Sequence, residues 1–222
     1  MGVETHCHGK TYDPLTPGIH LGGSLLDTSA GVLLHNSVTG ETRLTVASHG
    51  WDDQDFDVYH DNNVIGTITR RSEHRDWALV ELTNDVQFTN TAYLGPPAPH
   101  NLLDCWDVTG YVTPISYFAA DGFTTGTVWF NYAGLVYRKN KGYIIEMSSD
   151  FAYIFRRLRG TADELAQIPA PELCGAPVVH QETTDDLISN SVCGFVWLNN
   201  LQLSWVVAVG PLIDAGWEIV QQ

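Results

Sequence analysis

The chain has 222 residues, 44% hydrophobic and 17% charged, which suits one globular domain with a large core and excludes a disordered chain. Eleven Lys and Arg against 26 Asp and Glu leave a formal net charge of −15. A surface of that sign repels nucleic-acid phosphates and anionic lipid, so neither is an expected partner, whereas a basic peptide or protein surface suits it.

The opening MGVETHCHGKTYDPL lacks the basic and apolar regions of a signal peptide, and His6 stands where N-myristoylation needs Ser or Thr. No apolar run of about 18 residues exists, so no membrane-spanning helix is expected. His6 and His8 flank Cys7, which is half a zinc site at most, because zinc takes about four ligands and no partner motif is visible. Cys7, Cys105, Cys174 and Cys193 are widely spaced with no C-x-x-C pair, so reduced thiols and a cytoplasmic setting are expected.

Short apolar runs rich in Val, Ile, Thr and aromatic residues then alternate with Gly, Asn, Asp and Pro clusters, and each run predicts a strand. In chain order they are AGVLLHN (30–36), TRLTVAS (42–48), NVIGTIT (63–69), WALVEL (77–82), LLDCWDVTGYV (102–112), TGTVWFNYAGLVYR (125–138), GYIIEM (142–147), APVVH (176–180), NSVCGFVWL (190–198) and SWVVAVG (204–210). SVTGE between the first two is a hairpin turn signal. LGPPAPHNL (94–102), with three prolines, reads as a linker between two β-halves. Two stretches read as helical: TADELAQI (161–168), with Thr161 and Glu164 forming a capping box, and PLIDAGWEIV (211–220). Many short strands at regular spacing predict an all-β barrel or sandwich.

Three polar residues abut these strands: His49 lies at a strand end in RLTVASHG, Asp76 opens DWALVEL, and Cys174 stands in ELCGAPVV. A core that anchors such strands would hold the three side chains in place. The chemistry linking these residue types is nucleophilic acyl transfer. A thiol is a weak nucleophile until it loses its proton; an imidazole takes that proton, and a carboxylate orients the imidazole. Each residue also has a plainer reading: a buried Cys, a strand-end His, a turn Asp. Asp52, Asp53, Asp55 and Asp57 rival Asp76 by their closeness to His49. The acidic run WDDQDFD (51–57) is a solvated loop or the wall of a cleft. Cys105 and Cys193 read as core.

With those residues in order, roughly residues 20 to 215 resemble the chymotrypsin-like peptidases, the trypsin-fold superfamily of two β-barrels. The family order His, Asp, nucleophile is matched by His49, Asp76, Cys174. Thr45-Val46-Ala47-Ser48-His49 is similar to the T-A-A-H motif with one residue more. Asp76-Trp77-Ala78-Leu79-Val80 is similar to D-x-A-L-L, and Glu172-Leu173-Cys174-Gly175-Ala176-Pro177-Val178 to G-D-S-G-G-P-V. The Cys-Gly-Ala-Pro form resembles the viral chymotrypsin-like cysteine peptidases. TTGTVWF (124–130) and SVCGFVWLN (191–199) resemble a second-barrel strand and the late strand that pairs with substrate.

The resemblance implies one domain over residues 1–222 with two six-stranded antiparallel barrels, about 18–95 and about 103–210, and a short C-terminal helix. It implies a cysteine endopeptidase without cofactor or metal, acting on a peptide or protein. His49 would be general base and acid, Asp76 its orienter and Cys174 the nucleophile, with an oxyanion hole from the N–H groups of Glu172 and Cys174. Ile168, Pro171, Val196, Trp197 and Leu198 would line an apolar specificity pocket. Two departures stand out: Glu172 replaces the family's Gly, and Leu173 its Asp. A carboxylate beside an oxyanion hole is electrostatically unhelpful, and a non-Gly residue is strained there. The alternative is therefore an inactive peptidase-like module that binds a peptide or protein. A third reading is a metal hydrolase using His6, His8 and His49.

Overall fold

The computed structural model describes residues 13–72, 75–91, 98–104, 113–117, 128–130, 136–139, 142–145, 153–156, 174–184, 187–199 and 203–221. Strands β1 (His20–Leu21), β2 (Thr28–Ser29), β3 (Leu33–Asn36), β4 (Thr42–Ala47), β5 (Asp57–His60), β6 (Asn63–Ser72) and β7 (Trp77–Leu82) form the first half. The second half holds β8 (Asn101–Leu102), β9 (Thr113–Tyr117), β10 (Val128–Phe130), β11 (Val136–Lys139), β12 (Gly142–Ile145), β13 (Tyr153–Arg156), β14 (Pro177–Thr184), β15 (Leu187–Asn199) and β16 (Leu203–Ala208). Helix α1 (Gly210–Asp214) and β17 (Trp217–Ile219) follow.

The expected hairpin joins β3 to β4. The Asn36 side-chain oxygen accepts the Val38 and Thr39 amides at 2.9 Å each, and Gly40 closes the turn on the Asn36 carbonyl at 2.8 Å. Such Asn-centred turns are local, which is why this one was legible in the sequence.

The first half forms a six-stranded sheet in the order β17-β3-β4-β7-β6-β5. In the second half β14 pairs with both β9 and β15, so β14-β9-β10-β13-β16-β15 returns on itself as a ring of six strands, with β8 added beside β15. Strand alternation builds two cores. On β4 and β7, Leu44, Val46, Ala78 and Val80 face a core inside the first half with Ile19, Leu21, Trp51 and Ile68. The intervening Leu79, with Val32 and Leu34, faces a second core with Val179, Val192, Phe195 and Leu212, which joins the two halves.

The C-terminal stretch differs from the expected helix over 211–220. Helix α1 stops at Asp214, Gly216 takes a left-handed φ of +80° that suits glycine, and Trp217–Ile219 instead pairs antiparallel with β3. Burying Trp217 and Ile219 against the joining core outweighs a weak local helical preference. Part of the expected linker is likewise a strand: β8 pairs in parallel with Ser191 and Val192 of β15. The helix expected over 161–168 lies outside the described residues.

Candidate active site

The register of β4 and β7 brings His49 to Asp76. Ala47 pairs with Trp77, and the next rung outward is the Ser48 N–H donating to the Asp76 carbonyl at 3.1 Å. β4 then runs into a single 3₁₀ turn, Ser48–Gly50, that carries His49. Asp76 adopts a left-handed φ of +48°, which a short polar side chain tolerates when it bonds locally. It does: one carboxylate oxygen accepts the His49 backbone N–H at 2.9 Å, and the other lies 2.7 Å from His49 Nδ1. Opposite a carboxylate, Nδ1 carries the proton and donates. Asp76 is therefore the aspartate brought to His49.

Cys174 arrives from the second half, in the turn before β14. That turn is locked to the first half, since the Ser29 N–H donates to the Cys174 carbonyl at 2.7 Å. Gly175 has φ +94°, and a Cβ there would meet the Ser29 carbonyl oxygen at 2.5 Å and the Ala47 nitrogen at 2.9 Å. Only glycine fits this approach of two backbones. The Gly175 N–H is spent on the Val196 carbonyl at 2.7 Å, and Val196 N–H donates to Ala176 at 2.9 Å.

The Cys174 side chain lies close enough to the His49 imidazole to raise its pKa. Burial pulls the pKa of the imidazole down. Interaction with the Asp76 carboxylate and with the Cys174 side chain more than offsets this and pushes it up to about 10. The thiol has a second partner: Sγ donates to the Trp197 carbonyl at 3.0 Å. Trp197 is the extra residue in a bulge where β15 pairs with β16, and it is among the exposed large apolar side chains.

Of the other residues expected at the site, Val196 is buried with its N–H and carbonyl taken by the Cys174 turn. Leu198 is described only by its backbone, which pairs with Trp205. Glu172, Leu173, Ile168 and Pro171 lie outside the described residues, as do His6, Cys7, His8 and Cys105. Cys193 is buried and donates to the Val178 carbonyl at 3.5 Å. Among the described residues, no group of three or more His, Cys, Asp or Glu side chains is placed to hold a metal ion.

Trp51, Asp52 and Asp53, the first three residues of the acidic run, line a cleft of about 480 Å3 beside His49, with Leu25 and Arg71. Asp52 accepts the Gln54 and Asp55 amides at 2.7 and 2.8 Å, which hold its carboxyl below the usual range. Arg71 was not singled out by its sequence context, TRRS, because nothing there shows which of two arginines turns inward.

Sheet order, the six-strand ring and a site at the junction of the halves define an all-β, chymotrypsin-like fold. Solved structures of that fold superpose over nearly the whole chain. The α-lytic protease homologue N4 matches with a TM-score of 0.61 at 13% identity, covering 92% of this chain and 98% of its own. Thermobifida fusca protease A matches at 0.60 and 12% identity, covering 94% and 99%, and the Nocardiopsis protease at 0.59 and 12%, covering 93% and 99%. No protein-family model matches the chain, and no curated protein sequence does.

Proposed function

We propose that the chain is a cysteine endopeptidase acting through His49, Asp76 and Cys174. The observation that carries the reading is the imidazole held by Asp76, Nδ1 lying 2.7 Å from the carboxylate, with the Cys174 side chain near enough to raise the ring's pKa. An imidazole held so can take the thiol proton, and as imidazolium it stabilises the thiolate.

The thiolate then attacks the carbonyl carbon of a peptide bond, and the carbonyl electron pair moves to oxygen. The N–H groups of Glu172 and Cys174 would receive that oxyanion. Collapse breaks the C–N bond while His49 returns its proton to the leaving amine, and an acyl-thioester remains. His49 next takes a proton from water; the hydroxide carbon–oxygen bond forms, the thioester breaks, and the thiol regains its proton. Peptide backbone would lie along β15 beyond Val196, where Trp197 is exposed. The chemistry needs no metal or organic cofactor, and a reduced, cytoplasmic setting suits a free nucleophilic thiol.

The test is hydrolysis of fluorescein-labelled casein by wild type and Cys174→Ala, with and without chelator. Chelator-insensitive turnover that disappears in Cys174→Ala is expected; turnover by Cys174→Ala at the wild-type rate would refute the nucleophile. One observation favours the binding-module reading instead: Sγ already donates to Trp197, and Cys174 is only 4% exposed. A peptide that binds wild type and Cys174→Ala alike, with no hydrolysis by either, would establish that alternative.

A further inference from the structure

We infer that Arg71 is a positioning residue for His49, its guanidinium fork gripping the turn that carries the imidazole and so setting where the ring meets the Cys174 sulfur. The catalytic meaning rests on the peptidase reading; the geometry stands apart from it.

A bulge makes the grip possible. β6 pairs with β7 as Ile68 with Val80, then Arg70 with Leu79 and Arg71 with Ala78, so Thr69 is an extra residue. Plain alternation from buried Ile68 would turn Arg70 inward. The extra residue reverses the faces beyond it. Arg70 turns out toward Glu41 with its side chain 54% exposed, and Arg71 turns in with 14%.

Once inside, one guanidinium nitrogen donates to the Ser48 carbonyl at 3.2 Å and to the Trp51 carbonyl. The other donates to the Asp52 carbonyl at 2.6 Å and lies 3.4 Å from the Asp53 carboxylate. The group sits 6.0 Å from the centroid of the Phe56 ring. The gripped carbonyls bracket His49 in sequence. Asp76 holds the same turn from the other side through the Ser48 and His49 amides. Lysine carries charge and length but presents a point ammonium, which cannot replace a rigid fork spread over three carbonyls.

The test compares wild type with Arg71→Lys by thermal melting, by iodoacetamide alkylation of Cys174 at pH 6, and by NMR titration of the His49 ring. The expected variant is folded, alkylates about 10-fold more slowly, and titrates His49 at lower pH as the contacts to Asp76 and Cys174 loosen. A purely structural arginine would move the melting curve alone, so an unchanged alkylation rate and an unchanged titration overturn the inference. If Arg71→Lys does not fold, Arg71→Ala is measured with and without low-millimolar ethylguanidinium. Recovery of alkylation and titration by the added cation supports the inference, and failure to recover overturns it. Should wild type alkylate no faster than His49→Ala, the peptidase reading fails, while the His49 titration still decides the role of Arg71.

Discussion

Asp76 grips His49 twice, through the backbone N–H at 2.9 Å and through the ring at 2.7 Å, using both carboxylate oxygens. Asp76→Asn can keep the backbone contact through its amide oxygen, but its NH2 then faces Nδ1 and holds the imidazole in the tautomer that carries the proton on Nε2, which cannot accept the thiol proton. The substitution is expected to lower casein turnover by about 10²- to 10⁴-fold with the fold retained. Turnover measured beside a circular dichroism spectrum checks it; undiminished activity would remove Asp76 from the site.

Gly175 joins the halves at the nucleophile turn. In Gly175→Ala the new methyl would collide with backbone at Ser29 and Ala47, neither of which is a flexible side-chain end, and φ +94° is strained for alanine. A loss of about 2–4 kcal/mol is expected from strain and overpacking together. Urea unfolding measures it, and a change below about 0.5 kcal/mol would show that the halves separate freely at this point.

His49 links stability to pH. Its pKa rises from 6.5 to about 10 on folding, so between those values the folded chain holds a proton that the unfolded chain lacks. The stability it contributes is complete below about pH 6.5 and is lost as pH rises through about 10. Urea midpoints of wild type and His49→Ala should therefore differ most at pH 6 and converge toward pH 10. A constant difference would mean that the imidazole is not held as its contacts indicate.

Asn90 offers a control away from the chemistry. Fully buried, it accepts the Leu33 amide at 2.7 Å and donates to the Leu33 and Val220 carbonyls at 2.9 and 3.0 Å, tying β3 to the chain after β17. Asn90→Ala takes the Asn90 partner from the Leu33 amide and the Val220 carbonyl, while the Leu33 carbonyl keeps the Val220 N–H at 3.1 Å, and should cost about 2–4 kcal/mol. Cys174 alkylation at 25 °C should be unchanged in the folded fraction; slower alkylation would show that the β17 strap reaches the site.

His49 and Asp76 were legible because they flank β4 and β7, strands whose alternation is written in their own residues, and WALVEL occupies β7 without a shift. Cys174 was legible through Gly175 and Pro177, which mark a turn entering a strand. What was not legible depends on long-range pairing. Trp217 and Ile219 read as helical until β3 supplies their partners, Asn36 and Leu34, from the far end of the chain. Arg71 and Trp197 are aimed by one-residue bulges, and a bulge is a property of two strands together. The Trp197 carbonyl is a main-chain group, so no residue type announces it as the acceptor of the Cys174 thiol.

The most direct measurement is iodoacetamide labelling of Cys174 at pH 6, followed by peptide mapping, in wild type and His49→Ala. If His49 activates the sulfur, wild type labels at least about 10-fold faster than the variant. Equal rates would contradict the cysteine-peptidase reading and leave Cys174 a structural thiol beside an idle imidazole.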